Sequence, residues 1–457
     1  MPGGPAAQRE VRVPVVRPFR ALRFAAGAVD LAAVVAPPYD VIGPALQADL
    51  LARDPHNVVR LDLPAEDPGD PPDERYRRAA RTLAEWRSEG TLRADRRPAF
   101  YAYEQTYRVP GSGEMRTQHG FFGRLRLEPY GSDVRAHERT MPGPREDRYR
   151  LLRATGANTS PVVCLYEDAT GASSARLAAI AETGPDVDVI DDAGGRHRLW
   201  AVPEDAVDGP LQGAVAALVE RAGTGPLTIA DGHHRYETAL RYRDERRVGA
   251  PAIDDEPAWD YVLVLFLDAA SEPLTILPTH RLVRGLGDSW LASVRPQLDD
   301  WFEVRGADSG AALAATFTGP STGGAGRFGL WTRTGGAFLT ARPAAFAEVT
   351  RGDEVAPGDE GVARLDVSRL GLVLESLCGL TPELIAAGDR VSYSHDAADA
   401  IARVDRGDDG VDATFLLEAT PVADVLAVAA AGGVMPQKST YFYPKALTGL
   451  VFNPHEW

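Results

Sequence analysis

The chain has 457 residues, enough for two or three domains with buried cores, and its 44% hydrophobic and 25% charged residues are ordinary for a folded globular protein. With 49 Lys and Arg against 65 Asp and Glu, the net charge of −16 disfavours a broad nucleic-acid footprint and leaves room only for a local basic pocket. Cys164 and Cys378 are too few for a cysteine zinc site, and each sits in an apolar run that predicts a buried free thiol. The first residues lack the apolar core of a signal peptide, and no stretch approaches the ~18 apolar residues that span a membrane, so a cytosolic protein is expected.

Residues 1–9 read as a loose tail, and 11–24, rich in Arg and Pro, as edge strands and loops. AAVVAPPYDVI (32–42) predicts a buried strand running into Pro37-Pro38, followed by Tyr39-Asp40. NVVRLDLP (57–64) alternates as a strand would, with Arg60 opposite Val59 and Leu61. Residues 73–92 predict a helix whose apolar face carries Tyr76, Ala80, Leu83 and Trp86 and which Gly90 ends. Two alternating runs then predict a hairpin around Pro110-Gly111-Ser112-Gly113. Residues 1–130 thus read as an α+β section.

A polar cluster opens the second section, 131–286. His137-Glu138-Arg139-Thr140 follows a strand and precedes a loop with Pro142 and Pro144, a basic helix from Arg145 to Ala154, and a buried strand from Pro161. A solvated loop with a surface ion pair would account for His137-Glu138 without any chemistry. Residues 169–225 supply a helix, a strand and a second helix. GPLTIADGHHRYETALRYRDERR (225–247) comes next: Leu227 to Ala230 form a short strand, Asp231-Gly232 a sharp turn, and His233, His234 and Arg235 the first turn of a helix. A helix start offers free N–H groups to an anion, glycine allows close approach, and arginine adds a planar fork for phosphate or carboxylate. The competing reading is a plain strand–turn–helix connection with satisfied histidines. Residues 260–268 predict a strand covered on both faces, and His280-Arg281 fall just past another strand, as an edge loop or as part of a site.

The third section, 287–457, holds a hairpin near Thr334-Gly335-Gly336, a helix from Val367 to Cys378, and a further helix, strand and helix. Near the end, Lys438, Ser439, Thr440 and Lys445 lie beside Tyr441 and Tyr443 in a Gly- and Pro-bounded segment. Such a run can donate several hydrogen bonds to an anion, or can be a packed strand with solvated lysines.

RPFRALRF, APPYDVI, NVVRLDLP, HERT, ATGANTSPV, ADGHHRYETA, LPTHRLV and MPQKSTYFYPK occur in an order that resembles the bacterial domain-of-unknown-function 1015 family over nearly the whole chain. That resemblance implies a ParB/sulfiredoxin-like core with additional N-terminal and C-terminal α/β sections, the core carrying an insertion at 169–225. Sulfiredoxins of this superfamily have a reductant cysteine where this chain has His233, and the partitioning proteins have two arginines in the turn where this chain has one. Free-serine kinases carry Asp-Gly-His-His-Arg, which Asp231 to Arg235 match, and an upstream His-Glu pair, which His137-Glu138 match. The implied function is a kinase that uses ATP or ADP with Mg²⁺ to phosphorylate a small hydroxylated metabolite such as L-serine. Glu138 would be the catalytic base, and Asp231 would assist catalysis by holding the metal or orienting a histidine. Gly232, His233, His234, Arg235, Lys438 and Ser439 would bind the nucleotide. The alternatives are a nucleotide-binding regulator, or a scaffold that binds a protein partner, without small-molecule turnover.

Overall fold

The computed structural model describes residues 13–131, 133–248, 256–318, 326–347 and 359–456; the tail expected at 1–9 lies outside them. The strand Tyr261–Asp268, apolar at seven of its eight positions, is buried along its whole length. It pairs antiparallel with Met115–Arg126 on one side and parallel with Val162–Tyr166 on the other. Around it a nine-stranded sheet runs in the order Val134–Arg135, Leu227–Asp231, Val162–Tyr166, Tyr261–Asp268, Met115–Arg126, Ala99–Arg108, Arg196–Pro203, Val187–Ile190, with Val16–Arg17 against Met115–Arg126. Alternation divides this sheet between two cores. Leu263, Leu265 and Leu267 enter one, while Val262, Val264 and Phe266 enter the other, packed with the helices Ala214–Ala222 and His233–Arg247.

A six-stranded sheet runs Phe302–Ala307, Gly335–Ala341, Arg327–Thr332, Val411–Leu417, His280–Arg284, Val391–Ser394. Its inner residues share one apolar cluster with the near face of the larger sheet. The described residues therefore form a mixed α/β protein with two large sheets, to which three two-stranded ladders are added. Both expected hairpins form, at Ala99–Arg108 with Met115–Arg126 and at Arg327–Thr332 with Gly335–Ala341. His280 and Arg281 do not lie in an edge loop: their strand is flanked on both sides, and the two residues are 0% and 6% exposed.

Two expected strands are helical turns instead. Leu31–Val34 is started by Asp30, whose side chain accepts the Ala32 N–H, and only Ala36 makes a strand-like bridge, to Thr448. Val59–Asp62 follows Asn57, whose side-chain oxygen accepts the Val59 N–H while its amide reaches the Ala33 carbonyl. Here local side-chain bonds outcompete the alternation of apolar residues, and Val58, Val59, Leu61 and Asp62 are all buried. The helix Glu74–Ser88 forms as expected, with Ala79 rather than Ala80 on its buried face. The basic helix begins earlier than expected, at Pro142–Thr155, since proline's missing N–H costs nothing in a first turn. Both cysteines are free; Cys164 is buried and Cys378 half-buried. Among the described residues no helix is long and apolar enough to cross a membrane.

Candidate functional site

Strand Leu227–Asp231 ends in a register shift against Val162–Tyr166, and the chain turns at Gly232 with φ +88° into the helix His233–Arg247. That φ favours glycine, and a Cβ there would meet the Arg235 guanidinium at 3.0–3.1 Å. Arg235 folds back over the turn: Nη2 lies 2.5 Å from Asp231 Oδ2, and Nη1 donates to the Pro161 carbonyl. The other carboxylate oxygen of Asp231 receives Lys445 Nζ at 2.6 Å, from a residue 214 positions later. Burial pushes the Asp231 carboxyl up, but Lys445 and Arg235 outweigh it and hold it well below the usual carboxylate range. Both oxygens are thus committed to cations. Among the described residues no group of three or more His, Cys, Asp or Glu is placed to hold a metal ion.

The two histidines of the turn are acceptors. His233 Nε2 takes the His137 N–H at 3.3 Å, and His234 Nε2 takes the Met141 N–H at 2.8 Å. They fasten the His137–Met141 segment onto the helix start. Burial, reinforced for His233 by the ring of His137, lowers both. The shift favours the neutral rings that accept these two backbone N–H groups. His137 itself is fully buried, with Nδ1 donating to the Ile229 carbonyl at 2.6 Å and Nε2 accepting from the Thr440 hydroxyl at 2.9 Å. Burial brings its ring down to about 4.

The His137–Thr140 segment is not a solvated loop. Glu138 pairs strand-like with Met435, and its Oε1 accepts the Lys438 N–H at 3.1 Å. Burial raises the Glu138 carboxyl, with partial relief from that N–H and from Lys438 and Lys445. Lys438 stands at φ +57°, and its carbonyl accepts from Arg281 Nη2 at 3.1 Å. Ser439 turns away: its hydroxyl donates to the Pro436 carbonyl at 2.5 Å and it is 4% exposed.

These pieces enclose a pocket of about 260 Å³. Glu138, Asp231, Gly232, His233, His234, Arg235 and Lys438 all line it, so the tertiary structure brings together every sequence-predicted site residue except Ser439. Sequence reasoning missed Tyr39, Asp40 and Tyr441 as site residues, and had Lys445 in a terminal run that could face an anion or solvent, without its tie to Asp231. Lys445 Nζ lies 3.8 Å from Asp40 and 4.7 Å from the Tyr441 ring centre, and Tyr441 stacks on His395 at 3.7 Å. Tyr39-Asp40 was visible after Pro37-Pro38, but nothing in the sequence ties it to Asp231.

Fold and pocket together define a mixed α/β protein with an ion-lined pocket at a strand–glycine–helix junction. Residues 16–368 match the family described as protein of unknown function (DUF1015), and the chain belongs to that family. None of the curated proteins matches it. Solved structures similar to it include a conserved hypothetical protein from Pyrococcus furiosus, at 13% identity over 69% of this chain and 92% of that one, TM-score 0.32. A free serine kinase in complex with AMP aligns at 12% identity over 69% and 91%, TM-score 0.33. SbnI from Staphylococcus aureus with a C-terminal truncation aligns at 10% over 70% and 83%, TM-score 0.32.

Proposed function

We propose that this protein is a cytosolic, nucleotide-dependent kinase of a small hydroxylated metabolite, with free L-serine the first acceptor to try and residues 131–286 a ParB/sulfiredoxin-like core. One observation carries the reading: a carboxylate with a raised pKa, Glu138, shares a pocket with an uncapped helix start and two lysines drawn from the far end of the chain. The first N–H groups of a helix have no intrahelical acceptor and favour anions, so the phosphates of ATP or ADP would sit at Gly232–His234, close to the backbone. Lys438, which has no ion pair among the described residues, would add positive charge to the phosphoryl group in transit. Glu138 would take the proton of the acceptor hydroxyl as its oxygen bonds to phosphorus and the bond from phosphorus to the nucleotide's bridging oxygen breaks. A carboxyl raised toward neutrality suits a base.

Asp231 has a different part from a metal ligand. Held by two cations, it fixes Arg235 and Lys445 at the pocket wall. Mg²⁺ enters the assay as the nucleotide's counter-ion. The test is direct: purified protein, ATP or ADP, Mg²⁺ and a panel of hydroxy amino acids, followed by mass spectrometry for a phosphoester. Serine is expected to gain one phosphoryl group. Absence of product with every acceptor and both nucleotides overturns the reading, and binding without consumption points to a nucleotide-responsive regulator instead.

A further inference from the structure

The charges on the pocket wall are not those of a site built for anions alone. Three carboxylates line it, Asp40, Glu138 and Asp231, beside four cations, Arg139, Arg235, Lys438 and Lys445. Asp231 is neutralised by two close cations, and Glu138 is held by a backbone N–H. Asp40 is different. Its one ion pair among the described residues is with Lys445 at 3.8 Å, Arg235 and His234 reaching it only through their longer-range fields, and Lys445 is itself drawn 1.2 Å closer to Asp231, at 2.6 Å. Asp40 sits in a rigid place, in the single turn Tyr39–Val41 after Pro37-Pro38, with the Tyr39 ring clamped under the Arg148 guanidinium at 4.0 Å. A carboxylate held on a pocket wall without a close partner repels phosphate and attracts a cation.

We infer that Asp40 is a specificity-determining residue that receives the ammonium group of the acceptor, so that the substrate class is a hydroxylated amine, such as a hydroxy amino acid, rather than a sugar or a hydroxy acid. This rests on the kinase reading for the identity of the acceptor but not for its binding. The Tyr441 ring, already 4.7 Å from the Lys445 ammonium, adds an aromatic face to the cationic end of the pocket.

The experiment is isothermal titration of serine, ethanolamine and glycerate into the full chain with ADP present, repeated on Asp40→Asn and Asp40→Glu. Serine and ethanolamine are expected to bind, and glycerate, which replaces the amine by a hydroxyl, to bind at least tenfold more weakly. Asp40→Asn should weaken serine about tenfold or more, as loss of a charge-assisted hydrogen bond does, while ADP affinity and melting temperature stay within error. Asp40→Glu should restore part of the loss. Equal binding of glycerate and serine, no binding of either amine, or a fall in ADP affinity as large as that for serine would each overturn the inference. Amine binding without any phosphoester in parallel reactions would leave it standing and overturn only the kinase reading.

Discussion

The two sheets contribute to the pocket in different ways. The larger one delivers chemistry: its strand Leu227–Asp231 ends in the turn, and the chain leaving its edge strand Val134–Arg135 carries His137 and Glu138. The smaller one contributes no wall residue from its strands. It works from behind, through Arg281 on the Lys438 carbonyl and through His395 under Tyr441, reached just after the strand Val391–Ser394. The segment 435–445 lies between them, bonded to His137 and Arg139 on one side and to Arg281 on the other. The titratable groups of the pocket wall thus come largely from the ends of the larger sheet's strands, while the second sheet braces the 435–445 segment from behind.

Substitutions can break that contrast. The largest effect is expected at Glu138 on the delivering side: Glu138→Gln keeps shape, removes basicity, and should lower turnover about 10²–10⁴-fold with nucleotide affinity nearly unchanged. Loss of nucleotide binding together with turnover would move Glu138 from the acceptor to the nucleotide. For the active wild type, turnover should rise with pH through a value above the ordinary carboxylate range, since burial raises Glu138.

Arg235→Ala comes next. Because the arginine is locked to Asp231 rather than free, the change leaves a buried carboxylate with Lys445 alone and should cost about 3–5 kcal/mol of stability by denaturant unfolding, besides weakening the nucleotide. Intact stability with lost binding would show a purely ligand-facing arginine.

Acidification tests both sheets at once. Burial depresses His137 on one side and His395 on the other to about 4 each. A depressed histidine gives stability that is fully present above its unfolded value of about 6.5 and is lost as pH falls toward 4, because the unfolded chain then binds more protons. Melting temperature should therefore fall steadily from pH 7 to pH 4.5, each histidine contributing up to ~3 kcal/mol. His395→Gln should flatten part of that slope and leave the shares of His137 and of the other depressed histidines, His280 and His455 among them.

The smallest effect is expected behind the wall. Arg281→Met removes the donor to the Thr279 and Lys438 carbonyls and should cost about 1–3 kcal/mol, with little change in nucleotide affinity. A large loss of turnover there would mean that the smaller sheet sets the reacting geometry and does more than support it.

The sequence by itself determined the elements whose pattern is strong and local. The Tyr261–Asp268 strand, the Glu74–Ser88 helix, both hairpins and the Gly232 turn follow from apolar period, glycine placement and turn chemistry. It also brought Glu138 and the Asp231–Arg235 turn forward as parts of one site. Short segments such as 57–64 went wrong because an apolar alternation of a few residues fits a buried helical turn equally well, and the side chain of Asn57 decides between them. Only the tertiary structure decided what the charged groups do. Lys445 reaches Asp231 across 214 residues, Glu138 meets the Lys438 N–H across 300, and the two histidines accept backbone N–H groups of the His137–Met141 segment. Partnership and burial set a side chain's charge and its freedom to bind a ligand, and both are made by contacts between residues distant in the chain.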